Sequence, residues 1–194
     1  RTEQIVAGPT EVSGDVQAFY KQARGPDWFR DNGRPATELA SILRRAPLDG
    51  FASGPSLAAR VEQAAQAAAS GKAADRSSAE RVLSSAWVAY VEAIQRPTKG
   101  MIYGVTTLAP KPASPAQILS SAATAPSLVQ HLNDTSSINP VYAELRNEAW
   151  QQYQAAAGAA RPDARLLANL DRLRAIPARQ RFALVNVPTQ RLVM

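Results

Sequence analysis

One histidine and no cysteine leave this 194-residue chain few reactive groups. Without cysteine it has no thiolate nucleophile, no disulfide and no thiolate metal site. His131 as a general base would need a nucleophile and an orienting acid, and Asp134 follows it closely in sequence. The plainer reading is a surface or helix-end histidine before an Asn133-Asp134-Thr135 turn. A single histidine without cysteines or convergent acids also falls short of a zinc site. Gly50-Phe51-Ala52-Ser53-Gly54 lacks the lysine, the leading strand and the pattern of a phosphate loop, and reads as a turn into a helix. Acids for hydrolysis must converge on one cleft, whereas the scattered Asp and Glu residues here fall mostly on predicted solvent faces. Catalytic residues, metal ligands and cofactors are therefore expected to be none.

Binding chemistry is left, carried by aromatic and arginine side chains. Trp28, Phe29, Trp87, Tyr90, Tyr103, Tyr142, Trp150 and Tyr153 could in principle stack on sugar rings. Trp87 and Tyr90 lie on an apolar helical stripe and read as core. Trp28 and Tyr103 fall in irregular segments and stay as substrate or domain-docking candidates. The net charge is +6, and it is uneven: from 161 to 194 seven arginines face two aspartates, so the preceding residues are nearly neutral. Arg172, Arg174, Arg179 and Arg181 are docking candidates in that basic stretch. It suits a surface that meets another domain or an anionic polymer. Nucleic-acid binding would require a recognisable module, and none is found. No apolar run reaches the length of a membrane span.

The elements that must hold these residues are helical. Hydrophobic residues make up 45% of the chain, but many are alanine and only 6% of residues are aromatic, which favours close-packed helices. The expected fold is all-α, an irregular bundle of about seven or eight helices followed by a short C-terminal β-hairpin. Ser13 reads as N-cap of a first helix with Val16, Phe19, Tyr20 and Ala23 inward, ended by Gly25-Pro26. After an Asp31-Asn32-Gly33 turn, a second helix opens near Pro35 and buries Leu39, Ile42, Leu43 and Ala46. A third has Pro55 in its first turn, directs Leu57, Val61, Ala64, Ala65 and Ala68 inward, and stops at Gly71. In the fourth, Ser77 and Glu80 spell a capping box, and Val82, Leu83, Ala86, Trp87, Tyr90, Val91 and Ile94 make the stripe of a central helix. An irregular stretch runs from Pro97 to Pro115. Ser114-Pro115 opens a helix carrying Ile118, Leu119 and Ala122, and Leu128, Val129 and Leu132 suggest another. Asn139-Pro140 starts a helix with Tyr142, Leu145, Ala149 and Tyr153 on one face. Beyond a small-residue linker, Leu166, Leu170 and Leu173 share the face of a last helix. The strand Phe182–Val187, a Pro188-Thr189 turn and a return through Met194 follow.

A lone hairpin is marginal in water, and nothing upstream supplies strands to cover it. Residues 182–194 therefore read as the start of a sheet that continues past Met194. Leu166-Leu167-Ala168-Asn169-Leu170-Asp171-Arg172-Leu173-Arg174, then Ile176-Pro177, then Phe182-Ala183-Leu184-Val185-Asn186-Val187-Pro188, resembles the entry into the catalytic domain of large periplasmic L,D-transpeptidases. The scaffold domain of that family is matched by Phe19-Tyr20, Arg24 and Trp28, by Leu39 to Phe51, and by Pro140, Tyr142, Leu145, Arg146, Ala149 and Tyr153. The resemblance implies a helical scaffold joined to a β catalytic domain whose cysteine forms an acyl-enzyme with peptidoglycan stem peptides. This sequence departs from the pattern in three places. Only Gln154 to Ala160 separates two helices between which many members insert a peptidoglycan-binding module. Thr98-Lys99-Gly100-Met101 fits the family's turn poorly, and the cysteine motif is absent.

The resemblance divides the chain into a disordered segment at 1–11, a helical scaffold domain at 12–154, a linker and basic connector at 155–180, and the truncated start of a catalytic domain at 181–194. It implies a non-catalytic part of a periplasmic transferase acting in cell-wall biogenesis. The implied partners are a catalytic β-domain of the same polypeptide and peptidoglycan, with self-pairing through residues 182–194 as a further contact. Two other readings stay open: a free-standing envelope protein-interaction module, and a basic cytoplasmic protein that binds nucleic acid.

Overall fold

The computed structural model describes residues 12–96, 112–155, 163–174, 176, 184–186 and 191–193. Helix boundaries fall where a capping residue, a proline or a left-handed backbone interrupts the alanine-rich segments. Among the described residues there are eight α-helices: α1 Gly14–Gln22, α2 Arg30–Arg45, α3 Gly54–Ala68, α4 Ala73–Gln95, α5 Pro115–Thr124, α6 Leu128–Ser137, α7 Pro140–Ala155 and α8 Ala164–Leu173. No strand occurs among the described residues between 12 and 174. Two three-residue strands, β1 Leu184–Asn186 and β2 Arg191–Val193, pair antiparallel with Val185 opposite Leu192. The residues joining them, like 1–11, the 97–111 stretch and the 156–162 linker, lie outside the described residues.

The chain divides into two units, residues 1–136 and 137–194. In the first, α4 is the central helix, in contact with α1, α2, α3 and α5. Leu83, Trp87, Tyr90, Val91 and Ile94 are buried along it, as the stripe predicts, and it meets Leu39, Ile42 and Leu43 of α2 and Leu57 and Val61 of α3 as parts of one core. Gly54 opens α3 where it touches α2: a Cβ there would collide with the Leu43 carbonyl oxygen. An Arg44–Glu62 ion pair adds a link between α2 and α3 at the surface. In the second unit, α7 packs on α8.

Several boundaries differ from the sequence expectation. Helix α1 ends at Gln22, three residues before Gly25-Pro26, and Ala23 is exposed. Ser13 takes the N-cap position with no side-chain cap; its N–H instead donates to Ser85 Oγ at 3.3 Å. Helix α4 begins one turn before the expected Ser77 capping box. Gly71, left-handed at φ 80°, turns the chain so that Lys72 already occupies the cap position. Ser77 is then inside the helix, where its carbonyl and hydroxyl both accept from Arg81 Nη1, and Glu80 faces Arg76. Val82 is half-buried because it borders a cleft of about 200 Å3 rather than the core. At the start of α5 a capping box forms that the sequence reading did not name: Ser114 Oγ accepts from Gln117 N, and Gln117 Oε1 accepts from Ser114 N.

Candidate functional site

The docking residues predicted from the sequence scatter to different fates. Trp28 lies in the turn that leads into α2, and its side chain is fully buried. Its indole Nε1 donates to Ser84 Oγ at 2.9 Å, and the Tyr20 hydroxyl shares a 2.9 Å hydrogen bond with the same oxygen. The chain approaches that ring closely, since a Cβ on Gly25 would overlap it. Burial raises the Tyr20 pKa above its ordinary value of 10.0, opposed by the Ser84 hydrogen bond. Trp28 thus serves as core, with a polar anchor inside it.

The aromatic residue of this segment that reaches a surface is Phe29. It borders an open groove of about 340 Å3 together with Asn32, Thr37, Ala65, Ala69 and Arg76. The Arg76 guanidinium lies 5.2 Å over the Phe29 ring. Its carboxylate partners, Asp27 and Glu80, stand at 3.4 and 3.5 Å in exposed pairs. Such pairs are weak, so the cation can be redirected toward a ligand at little cost. At the rim, Asp31, Asn32 and Gly33 all adopt left-handed backbone at φ 50°, 58° and 77°. Only glycine does so without strain, and the run sets where α2 begins its regular turns.

His131 lies within α6, not before a turn, because the helix runs on to Ser137. Burial lowers its pKa below 6.5, with Asp134 acting in the opposite sense. Asp134 Oδ1 accepts from Gln130 Nε2 at 2.7 Å, while the imidazole packs edge-on to Trp87 with ring centroids 6.2 Å apart. That arrangement is edge-to-face packing of a half-buried ring. Among the described residues no three His, Asp or Glu side chains converge as metal ligands.

In the second unit, α8 carries two of the four predicted arginines. Arg172 is exposed, and Arg174 is half-buried in an ion pair with Asp171 one turn back. Arg179, Arg181 and Tyr103 lie outside the described residues. On α7, Arg146 replaces the expected Leu145 at the buried position and is only 2% exposed. Its guanidinium lies 5.6 Å over the Tyr142 ring, one turn away on the same face as Ala149. An aromatic four residues before an arginine was the signal for it, and the apolar pattern alone passed over it.

The group the sequence hides best is Asn139. Its Oδ1 accepts from Tyr142 N at 2.9 Å, the N-cap bond expected of it. Its Nδ2 also donates to Leu173 O at 2.9 Å and Ile176 O at 3.2 Å, at the far end of α8. No local pattern announces a bond across more than thirty residues.

No curated protein and no solved structure matches the chain. A family model described as Scaffold domain matches residues 14–148, from the start of α1 into α7, and so covers well over half of the chain. On that match, and with the helical architecture it spans, the chain belongs to the scaffold domain family.

Proposed function

We propose that this scaffold domain belongs to a periplasmic L,D-transpeptidase and is itself non-catalytic. In that reading it holds a catalytic β-domain of the same polypeptide and lends one wall to the groove that receives peptidoglycan. The observation that carries it is the scaffold match over residues 14–148 followed by α8, whose Leu166–Arg174 segment resembles the family's connector. A cysteine and a histidine of the partner domain would do the acyl transfer; this chain would supply position. Each unit by itself offers one feature in support of this reading. The Phe29–Arg76 groove offers an aromatic face and a guanidinium fork suited to stem-peptide carboxylates. Arg172 stands exposed on the connector, where a neighbouring domain would meet it.

The test is acylation by a carbapenem, read by intact mass. The 194-residue chain stays unmodified, and a protein expressed through the codons that follow Met194 gains one carbapenem on a cysteine. Modification of the 194 residues themselves would refute the non-catalytic role. A downstream reading frame without a cysteine motif would refute the transpeptidase assignment.

A further inference from the structure

The carboxamide of Asn139 joins the start of one helix to the end of another. An α-helix leaves its first N–H groups and last C=O groups without partners inside the helix. Asn139 serves both kinds with one side chain: Oδ1 takes the Tyr142 N–H at the start of α7, and Nδ2 spends both hydrogens on Leu173 O and Ile176 O as α8 ends. The residue before it is held in an uncommon state. Ile138, β-branched, has φ 57°, and the Asn139 N–H contacts Ser137 O at 2.6 Å. A branched residue in the left-handed region persists only where its surroundings over-determine it.

We propose that Asn139 is a positioning residue, a latch that fixes the end of α8 against the start of α7 and so sets the direction in which the chain leaves the connector. Asparagine alone fits. Aspartate is as good an N-cap but has no hydrogens to give, and it would turn a carboxylate toward two carbonyl oxygens. Serine has a single donor on a shorter stem. Glutamine adds a methylene that takes the carboxamide away from the cap. The latch rests on α7 and α8 alone; that it aims a catalytic domain rests on the reading proposed above.

Aspartate separates the two jobs, since N139D keeps the cap and loses the latch. Hydrogen exchange on the full chain should show the Arg174 and Ile176 amides, which close the last turn on Leu170 O and Leu173 O, exchanging about tenfold faster in N139D. Amides at the start of α7 should change much less. Equal loosening of both sites, or no change at Arg174 and Ile176, would overturn the latch. The wild-type chain gives a second readout that needs no variant: in an amide-resolved spectrum the Asn139 side-chain protons are protected from solvent exchange. Rapid exchange there would overturn it as well. Either failure leaves the carbapenem test untouched, so the latch and the transpeptidase reading fall separately.

Discussion

Replacing Ser84 by alanine tests whether the core of the first unit depends on one hydroxyl. Ser84 is fully buried, and so is Trp28, whose indole N–H it accepts at 2.9 Å. In S84A that N–H keeps no partner, and an unsatisfied buried donor costs about 1–3 kcal/mol. The lost 2.9 Å bond with Tyr20 adds about 0.5–1.5 kcal/mol, partly offset by the 3.4 Å contact that Tyr20 keeps with Glu80 O. The expected loss is about 2–4 kcal/mol, or a fall in Tm of about 6–12 °C for a chain of this length. Urea unfolding followed by tryptophan emission measures it. The companion variant W28F removes the donor, so the double variant should be less destabilised than the sum of the singles, by about 1–2 kcal/mol. S84A within about 0.5 kcal/mol of wild type, or a double variant that is merely additive, would refute the idea that the Ser84 hydroxyl is shared by two aromatic side chains.

The same site makes a titration prediction. Tyr20 ionises above 10.0 in the fold, so its contribution is intact below that pH and is lost as pH rises through the folded value; S84A should push its absorbance titration higher still. For His131 the sign is reversed. Its folded pKa lies below 6.5, so the unfolded chain binds the proton first, and stability falls as pH drops from 6.5 through the folded value. H131Q should flatten that acid limb of a Tm-against-pH curve. G54A should cost about 1–3 kcal/mol in chemical denaturation, because the added Cβ meets backbone at Leu43 rather than a side chain that can move.

Most helices were legible because their apolar stripes are regular. Ile118, Leu119 and Ala122 all lie inward on α5, behind the start read from Ser114-Pro115. Local signals misled where a tertiary contact outweighed them. The Ser77–Glu80 pattern is a good cap in isolation, but Gly71 had already turned the chain into helix. Trp28 looks like an exposed loop aromatic because its partner, Ser84, is 56 residues away. Phe29 looks like the lesser of the pair and is the one that lines a groove. Of the candidate arginines, α8 leaves Arg172 exposed and engages Arg174 locally. Asn139 was legible as a cap and opaque as a latch, since one oxygen bonds nearby and the nitrogen bonds far along the chain.

The contact between His131 and Trp87 has an optical consequence. Trp87 is fully buried and stacks on Tyr90 with ring centroids 5.8 Å apart, and its Nε1 has no hydrogen-bond partner among the described residues. An indole with no polar partner emits toward the blue. A protonated imidazole at its edge is an electron acceptor that dims that emission, whereas a neutral one leaves it bright. The first unit therefore carries its own fluorophore and its own quencher, set 6.2 Å apart on α4 and α6. Lowering the pH would darken a blue component of the spectrum before the helices unravel, and loss of the α4–α6 contact would shift that component to the red. Acid protonation and unfolding could thus be told apart by colour in an unlabelled sample.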